Sequence, residues 1–201
     1  MIFFIGIKGA GMASLACMLH DVGQEVMGSD IEKHIFTQEQ LERRHIKMVP
    51  FMTTEFQQDW TVVVGNAFLD DFAEVSKAHA STNVRVIRYH HFLGELMAKY
   101  NSIAVSGSHG KTTTTSLVAH MLNYHHPSGY LIGDGQGHLS DDAKDLVVEA
   151  CEYRHHFLAY KPHYAIITNI DWDHVDYFKT LEEYTQAFQR SEERRVGKYF
   201  I

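Results

Sequence analysis

The chain is short of what a secreted, membrane-spanning or nucleic-acid-binding protein needs. Among its 201 residues are two cysteines, Cys17 and Cys151, in apolar or acidic surroundings and without C-x-x-C spacing. Neither a disulfide framework nor a zinc site is suggested, and a reducing compartment is expected. Positive charge is also scarce: 18 Lys and Arg stand against 25 Asp and Glu, a formal net charge of −7, which argues against a nucleic-acid partner or an anionic-membrane surface. Long apolar runs are missing. Met1–Ile5 is apolar but brief, has no basic leader and runs straight into a glycine turn, so it reads as a first strand, with no membrane insertion expected. A cytoplasmic protein is the expectation. With only three prolines there is no Pro-rich linker, and neither an internal repeat nor a low-complexity tract is visible.

Histidine is the exception to this sparseness, with fifteen residues, most of them scattered without ligand spacing. His90-His91, His125-His126 and His155-His156 are adjacent pairs, whose side chains are expected to diverge on a helix or a strand. No dedicated histidine-metal cluster is expected.

Short apolar runs alternate with amphipathic segments through the first half. Strands are expected at Ile2–Ile5, Glu25–Gly28, Lys47–Val49, Val62–Val64 and Val84–Ile87. Met12, Leu15, Ala16 and Leu19 fall at i, i+3, i+4 and i+7 of a helix over residues 10–21, ended by Gly23. This βαβ alternation implies an α/β fold with a Rossmann-like parallel sheet over residues 1–99. After a helical segment at His91–Lys99, a second unit starts near Ser102, with strands near Leu146–Glu149 and Tyr164–Thr168 and a helix from Leu181 to Arg190. From about residue 190 the pattern switches to charge without periodicity, as a frayed tail would.

The second unit opens on Gly107-Ser108-His109-Gly110-Lys111-Thr112-Thr113-Thr114-Thr115, between the apolar run Ile103–Val105 and a helical run from Ser116. Strand, glycine-bearing loop, Lys-Thr and helix are the arrangement that wraps the phosphates of a nucleotide. The glycines let backbone N–H groups approach phosphate oxygens, Lys111 supplies a compact positive charge, and the Thr112 hydroxyl suits Mg²⁺. The common pattern G-x-x-x-x-G-K-[ST] would require glycine where this chain has Val105, so the loop is a shorter variant. An ordinary capped strand-to-helix turn is the alternative.

Three further segments carry chemistry. Gly6-Ile7-Lys8-Gly9-Ala10-Gly11 joins the first strand to the first helix with spacing G-x-x-G-x-G, which departs from the dinucleotide fingerprint yet still offers a helix N-terminus to a diphosphate. Asp30 closes the second strand, where an acid commonly meets a ribose hydroxyl. The bland reading of this segment is a tight strand-to-helix turn. Glu149, in Glu149-Ala150-Cys151-Glu152, ends a strand beside the phosphate loop and is placed to coordinate Mg²⁺. Thr168-Asn169-Ile170-Asp171-Trp172-Asp173-His174 puts Asn169, two acids and His174 at another strand end on the same sheet edge.

Taken together, GSHGKTTTT, EACE and TNIDWDH resemble the Mur ligases of peptidoglycan synthesis, over approximately residues 1–189. The N-terminal GIKGAGMASLA and GSD, with EACEYRHHFL, are most similar to members that add L-alanine to UDP-N-acetylmuramate, in their Gram-positive form. The resemblance implies an ATP-dependent ligase: ATP phosphorylates the muramyl carboxylate, and the amine of L-alanine attacks the acyl phosphate. It implies that Lys111, Glu149 and His174 are catalytic, and that Gly107, Ser108, His109, Gly110, Lys111, Thr112, Thr113 and Asn169 bind ATP. Thr112 and Glu149 would hold Mg²⁺, His174 would help hold a second metal near the reacting phosphate, and Gly6, Gly9, Ala10, Gly11 and Asp30 would bind UDP-N-acetylmuramate.

On this resemblance residues 1–99 are the UDP-sugar domain and 100–189 the first part of the central ATP-binding domain. Residues 190–201 depart from the family pattern, and the C-terminal ligase domain is expected to be absent, leaving a fragment inactive alone. Two other readings are weighed: the sister ligase that attaches recycled tripeptide to UDP-N-acetylmuramate, and a non-catalytic nucleotide-binding module. A dinucleotide-dependent oxidoreductase would rest on the first glycine turn alone and leave the second loop unexplained.

Overall fold

The computed structural model describes residues 1–175, 177–192 and 199–200; within the expected tail, residues 193–198 and 201 lie outside the described residues. Met1–Phe92 with Gly133–Leu139 form one compact unit, and Leu93–Ile132 with Ser140–Ile201 form another.

In the first unit, strands β1 (Ile2–Ile5), β2 (Val26–Asp30), β3 (Lys47–Pro50), β4 (Thr61–Val64) and β5 (Arg85–Arg88) make one sheet in the order β3-β2-β1-β4-β5. All four pairings are parallel. Helices α1 (Ala10–Asp21), α2 (Gln38–Arg43) and α3 (Ala73–Ala80) lie between consecutive strands, and α4 (Tyr89–Met97) leads on from β5. A central strand covered on both faces must be apolar throughout, and Phe3, Phe4 and Ile5 are fully buried. Phe3 and Ile5 pack with Val62, Val64, Val75 and Ala78, and truncating one large side chain there costs about 3–5 kcal/mol. The strand order reverses between β1 and β4, the place where open α/β sheets bind ligands beyond their carboxyl ends.

The second unit runs β6 (Asn101–Ser106), α5 (Lys111–His125), β7 (Ser128–Leu131), β9 (Asp145–Glu149), a 3-10 segment (Tyr153–Ala159), β10 (Tyr164–Ile167), α6 (Leu181–Glu192) and β11 (Tyr199–Phe200). A two-residue strand, β8 (Gly137–His138), lies in the segment that belongs to the first unit. The second sheet orders its strands β11-β10-β6-β9-β7, paired in parallel. Val105, Ala119 and Val147 form a core between sheet and α5. Along α6, Tyr184 and Phe188 are buried, with ring centroids 5.2 Å apart.

The expected α/β class and parallel first sheet are what the structure shows. One local expectation fails. The rings of His90 and His91 do not diverge but lie 4.3 Å apart, because the pair sits in the first turn of α4, where His90 turns its Nδ1 to Asn66 Oδ1 at 2.9 Å. No described helix is long and apolar enough to cross a membrane.

Candidate functional site

In the first unit the glycine turn follows β1 without a break. Gly6 has φ +83°, a left-handed backbone, and a Cβ there would stand 2.2 Å from the Phe68 ring. Gly6, Gly9, Ala10, Gly11 and Asp30, all singled out from sequence, line one cavity of about 470 Å³ together with Lys8, Phe68 and Tyr89, a size suited to a small-molecule ligand. Asp30 is buried, and its carboxylate accepts the Lys8 N–H and the Ile31 N–H, each at 2.7 Å. The acid thus shapes the turn as well as lining the cavity. Lys8 was not anticipated. Its side chain is buried, and Nζ donates to the carbonyls of Ile31 (2.7 Å) and Lys33 (3.1 Å), tying the turn to the chain beyond β2.

The second unit brings three strand ends to one edge. In the adjacent parallel strands β10, β6 and β9, Ile167 pairs with Ser106 and Val105 with Glu149. The residues that follow, Thr168, Gly107 and Ala150, therefore leave the sheet side by side. Gly107 has φ +128°, and a Cβ there would meet Thr168 Oγ1 at 2.3 Å and the Asn169 backbone at 2.8 Å. Asn169 then clamps the loop: its backbone carbonyl accepts from Ser108 N (3.1 Å), Oδ1 accepts from His109 N (3.0 Å), and Nδ2 donates to the His109 carbonyl (3.0 Å). Gly110 caps α5, whose first-turn N–H groups have no acceptor inside the helix and carry the positive end of its dipole.

Lys111 opens α5. Its ammonium donates to the carbonyls of Gly107 (2.5 Å) and Ser108 (3.3 Å) and faces Glu152 at 3.3 Å. Thr112 Oγ1 donates to Glu149 Oε1 at 3.2 Å. Thr112 and Glu149 are hard oxygen donors side by side at a helix N-terminus, a donor set that fits Mg²⁺ bridging to phosphate, and the Cβ-free cradle at Gly107 fits the close approach of phosphate to backbone.

His174 lies beside Glu152. It has φ 52°, and Nε2 stands 3.4 Å from Glu152 Oε1. The loop that carries it turns back at Asp173, whose Oδ1 accepts the His174 N–H at 2.6 Å, and this turn aims the ring at the buried acid three residues past Glu149.

Two residues of this site carried no clear signal in the sequence. Glu152 is fully buried and takes contacts from Lys111, His174 and the Tyr184 hydroxyl, the last at 2.9 Å. Tyr184, on the apolar face of α6, also lies 2.9 Å from Ser108 Oγ. Burial, together with the Glu152 and Asp173 charges, holds its hydroxyl well above the usual tyrosine range, so it remains a donor to Glu152. Nearby, crowding by surrounding protein pushes the exposed Cys151 thiol up, and it is protonated at neutral pH.

A phosphate-cradling loop on the carboxyl edge of one parallel sheet, and a glycine turn over a ligand-sized cavity in another, define a nucleotide-handling α/β protein. Residues 1–101 match the profile described as Mur ligase family, catalytic domain, and residues 105–191 match the Mur ligase middle domain. The chain belongs to the Mur ligase family, whose ligases make peptidoglycan precursors and in general use ATP and Mg²⁺.

Among solved structures it is similar to the UDP-N-acetylmuramate:L-alanyl-gamma-D-glutamyl-meso-diaminopimelate ligase from Neisseria meningitides. The identity is 27% and the TM-score 0.82, over 98% of this chain and 68% of that one. It is similar as well to the UDP-N-acetylmuramate-alanine ligase from Thermotoga maritima, at 28% identity and TM-score 0.81, over 96% of this chain and 47% of that one. A murein peptide ligase from Psychrobacter arcticus matches at 26% identity and TM-score 0.73, over 96% of this chain and 46% of that one. The chain spans about half the length of the last two.

Proposed function

We propose that this chain carries the UDP-sugar and ATP sites of a ligase that joins L-alanine to the carboxylate of UDP-N-acetylmuramate. The observation that carries the reading is the Thr112–Glu149 oxygen pair, 3.2 Å apart, next to Lys111 at the N-terminus of α5. A carboxylate is a poor electrophile at neutral pH, and transfer of phosphate to its oxygen makes that oxygen a leaving group. The carboxylate oxygen forms a bond to the γ-phosphorus as ADP departs. The alanine amine then bonds to the acyl carbon as phosphate departs, and the amine proton is lost to solvent.

Bound Mg²⁺ supplies charge neutralisation between the two anions. Lys111 supplies a further positive charge, and Thr112 and Glu149 are the residues that would hold the ion. His174 is the candidate for a second metal position near the reacting phosphate. Gly107, Ser108, His109, Gly110, Thr113 and Asn169 shape the loop, and positioning carries most of the catalysis. Gly6, Gly9, Ala10, Gly11 and Asp30 are assigned to the UDP-sugar, and the reading puts the protein in the cytoplasm, beside its soluble substrates.

Calorimetric titration tests this. UDP-N-acetylmuramate and Mg-ATP are expected each to bind the 201-residue chain, and Lys111→Ala is expected to weaken Mg-ATP about tenfold to a hundredfold, that is about 1.4–2.8 kcal/mol, without changing UDP-sugar affinity. Selective binding of GTP, or an unchanged Mg-ATP affinity in Lys111→Ala, would overturn it.

A second reading, the ligase that recycles tripeptide onto UDP-N-acetylmuramate, has the support of the Neisseria match at TM-score 0.82, whose name specifies the peptide, against 0.81 for the alanine ligase. The Cys151-Glu152-Tyr153 string supports the alanine reading. ADP release driven by L-alanine or by tripeptide, in a chain extended to the relatives' length, separates the two.

A further inference from the structure

In the glycine turn of the first unit, Gly6 and Gly11 stand where a dinucleotide fingerprint keeps its first and third glycines, and Lys8 takes the place of the second. That second glycine lets the backbone approach a pyrophosphate closely, and a lysine side chain gives up that approach. What the turn gains is charge. Among the described residues that line the cavity, Lys8 is the one cation and Asp30 the one anion. The Asp30 oxygens are held by the Lys8 and Ile31 N–H groups, but the acid keeps its negative charge and by itself would repel a phosphate.

The surroundings of Lys8 leave its charge intact. The side chain is buried, and Nζ donates to the carbonyls of Ile31 at 2.7 Å and Lys33 at 3.1 Å, with no carboxylate partner among the described residues. Neutral carbonyls orient an ammonium without cancelling its charge, and these two take two of its three N–H donors. Lys111 in the second unit differs, because Glu152 faces it at 3.3 Å. A buried cation without an anion is costly, and an anionic ligand removes that cost. We infer that Lys8 is the specificity-determining cation of the first cavity: it meets the diphosphate of the UDP-sugar, while Asp30 keeps its place beside the ribose hydroxyls. The cavity thereby takes a nucleoside diphosphate in preference to the same nucleoside without phosphate.

The inference rests on the UDP-sugar reading of this cavity, and its test separates the two. UDP and UDP-N-acetylmuramate are titrated calorimetrically, and uridine by ligand NMR, into the 201-residue chain and into Lys8→Met, which removes the charge and keeps most of the side-chain length. Lys8→Met is expected to raise the dissociation constants of UDP and UDP-N-acetylmuramate about tenfold or more and to leave that of uridine within about twofold. Lys8→Arg, which restores the cation, is expected to bind UDP more tightly than Lys8→Met does. Mg-ATP titration of Lys8→Met, expected to match wild type, reports that the chain is folded, and Lys8→Gln carries the same expectations where Lys8→Met does not fold. Unchanged UDP affinity in the folded variant would overturn the inference and leave the UDP-sugar reading standing. A loss that falls equally on UDP and uridine would also overturn it, by showing that Lys8 acts through its carbonyl tie alone. A wild-type chain that binds neither UDP nor UDP-N-acetylmuramate would overturn both.

Discussion

The Lys111 ammonium and the Glu152 carboxylate face each other at 3.3 Å, and the carboxylate has no exposure to water. The cation that the loop offers to a phosphate is thus already shared with an internal anion. At an effective dielectric of about 20, charges this close attract by several kcal/mol before desolvation is counted.

Replacing that anion with its neutral isostere should free the cation. Glu152→Gln is expected to tighten Mg-ATP about threefold to tenfold in calorimetric titration. Weaker binding in Glu152→Gln would mean that Glu152 supports the nucleotide instead of competing for Lys111.

Tyr184 gives Glu152 a hydrogen bond of 2.9 Å inside the protein. Tyr184→Phe keeps the ring packing against Phe178 and Phe188 and removes that donor. A hydrogen bond to a charged group contributes about 1.5–3 kcal/mol, and stability in urea is expected to drop by that amount with an unchanged slope. A loss below about 0.5 kcal/mol would show that Glu152 finds another donor.

Asp21 governs a pH effect in the first unit. Burial raises its pKa, but hydrogen bonds and charges from Arg44 and His138 outweigh burial and hold the carboxyl below its usual range. A carboxyl lowered in the folded state stabilises above its unfolded pKa, about 3.9, and that contribution disappears as pH falls through the folded value. Thermal midpoints should therefore fall more steeply below about pH 4 in wild type than in Asp21→Asn. Identical acid slopes would remove Asp21 from the account.

Gly107 holds its backbone where other residues strain. Gly107→Ala is expected to cost about 1–3 kcal/mol of local strain and to push Thr168 and Asn169 off the loop. The measurable result is Mg-ATP binding weakened at least tenfold while the UDP-sugar titration is unchanged. Wild-type ATP affinity in Gly107→Ala would show that the close approach to Thr168 yields easily.

Much of the scaffold could be read from local pattern. Strand β1 and helix α1 fall at Ile2–Ile5 and Ala10–Asp21, where an apolar run and a 3.6-residue period put them. The convergence of Gly107, Glu149 and Thr168 on one edge also followed, because parallel strands deliver their carboxyl ends together. Contacts that depend on where distant chain returns were not legible. Tyr184 meets Ser108 across 76 positions and Glu152 across 32, and nothing local to its helix marks either contact. Lys8 carried no signal of its contacts in the glycine turn, yet carbonyls 23 and 25 positions away take its ammonium. Nor were the left-handed backbone of His174 and the 3.4 Å approach of its ring to Glu152 visible in a string of letters.

The in-register pairing of β6 with β9 makes the sheet a ruler for the chemistry at its edge. Deleting one residue within β9 would draw Glu149 back by about 3.3 Å and flip its side chain to the opposite face, out of reach of Thr112. The strands that measure out this edge cannot lose a single residue.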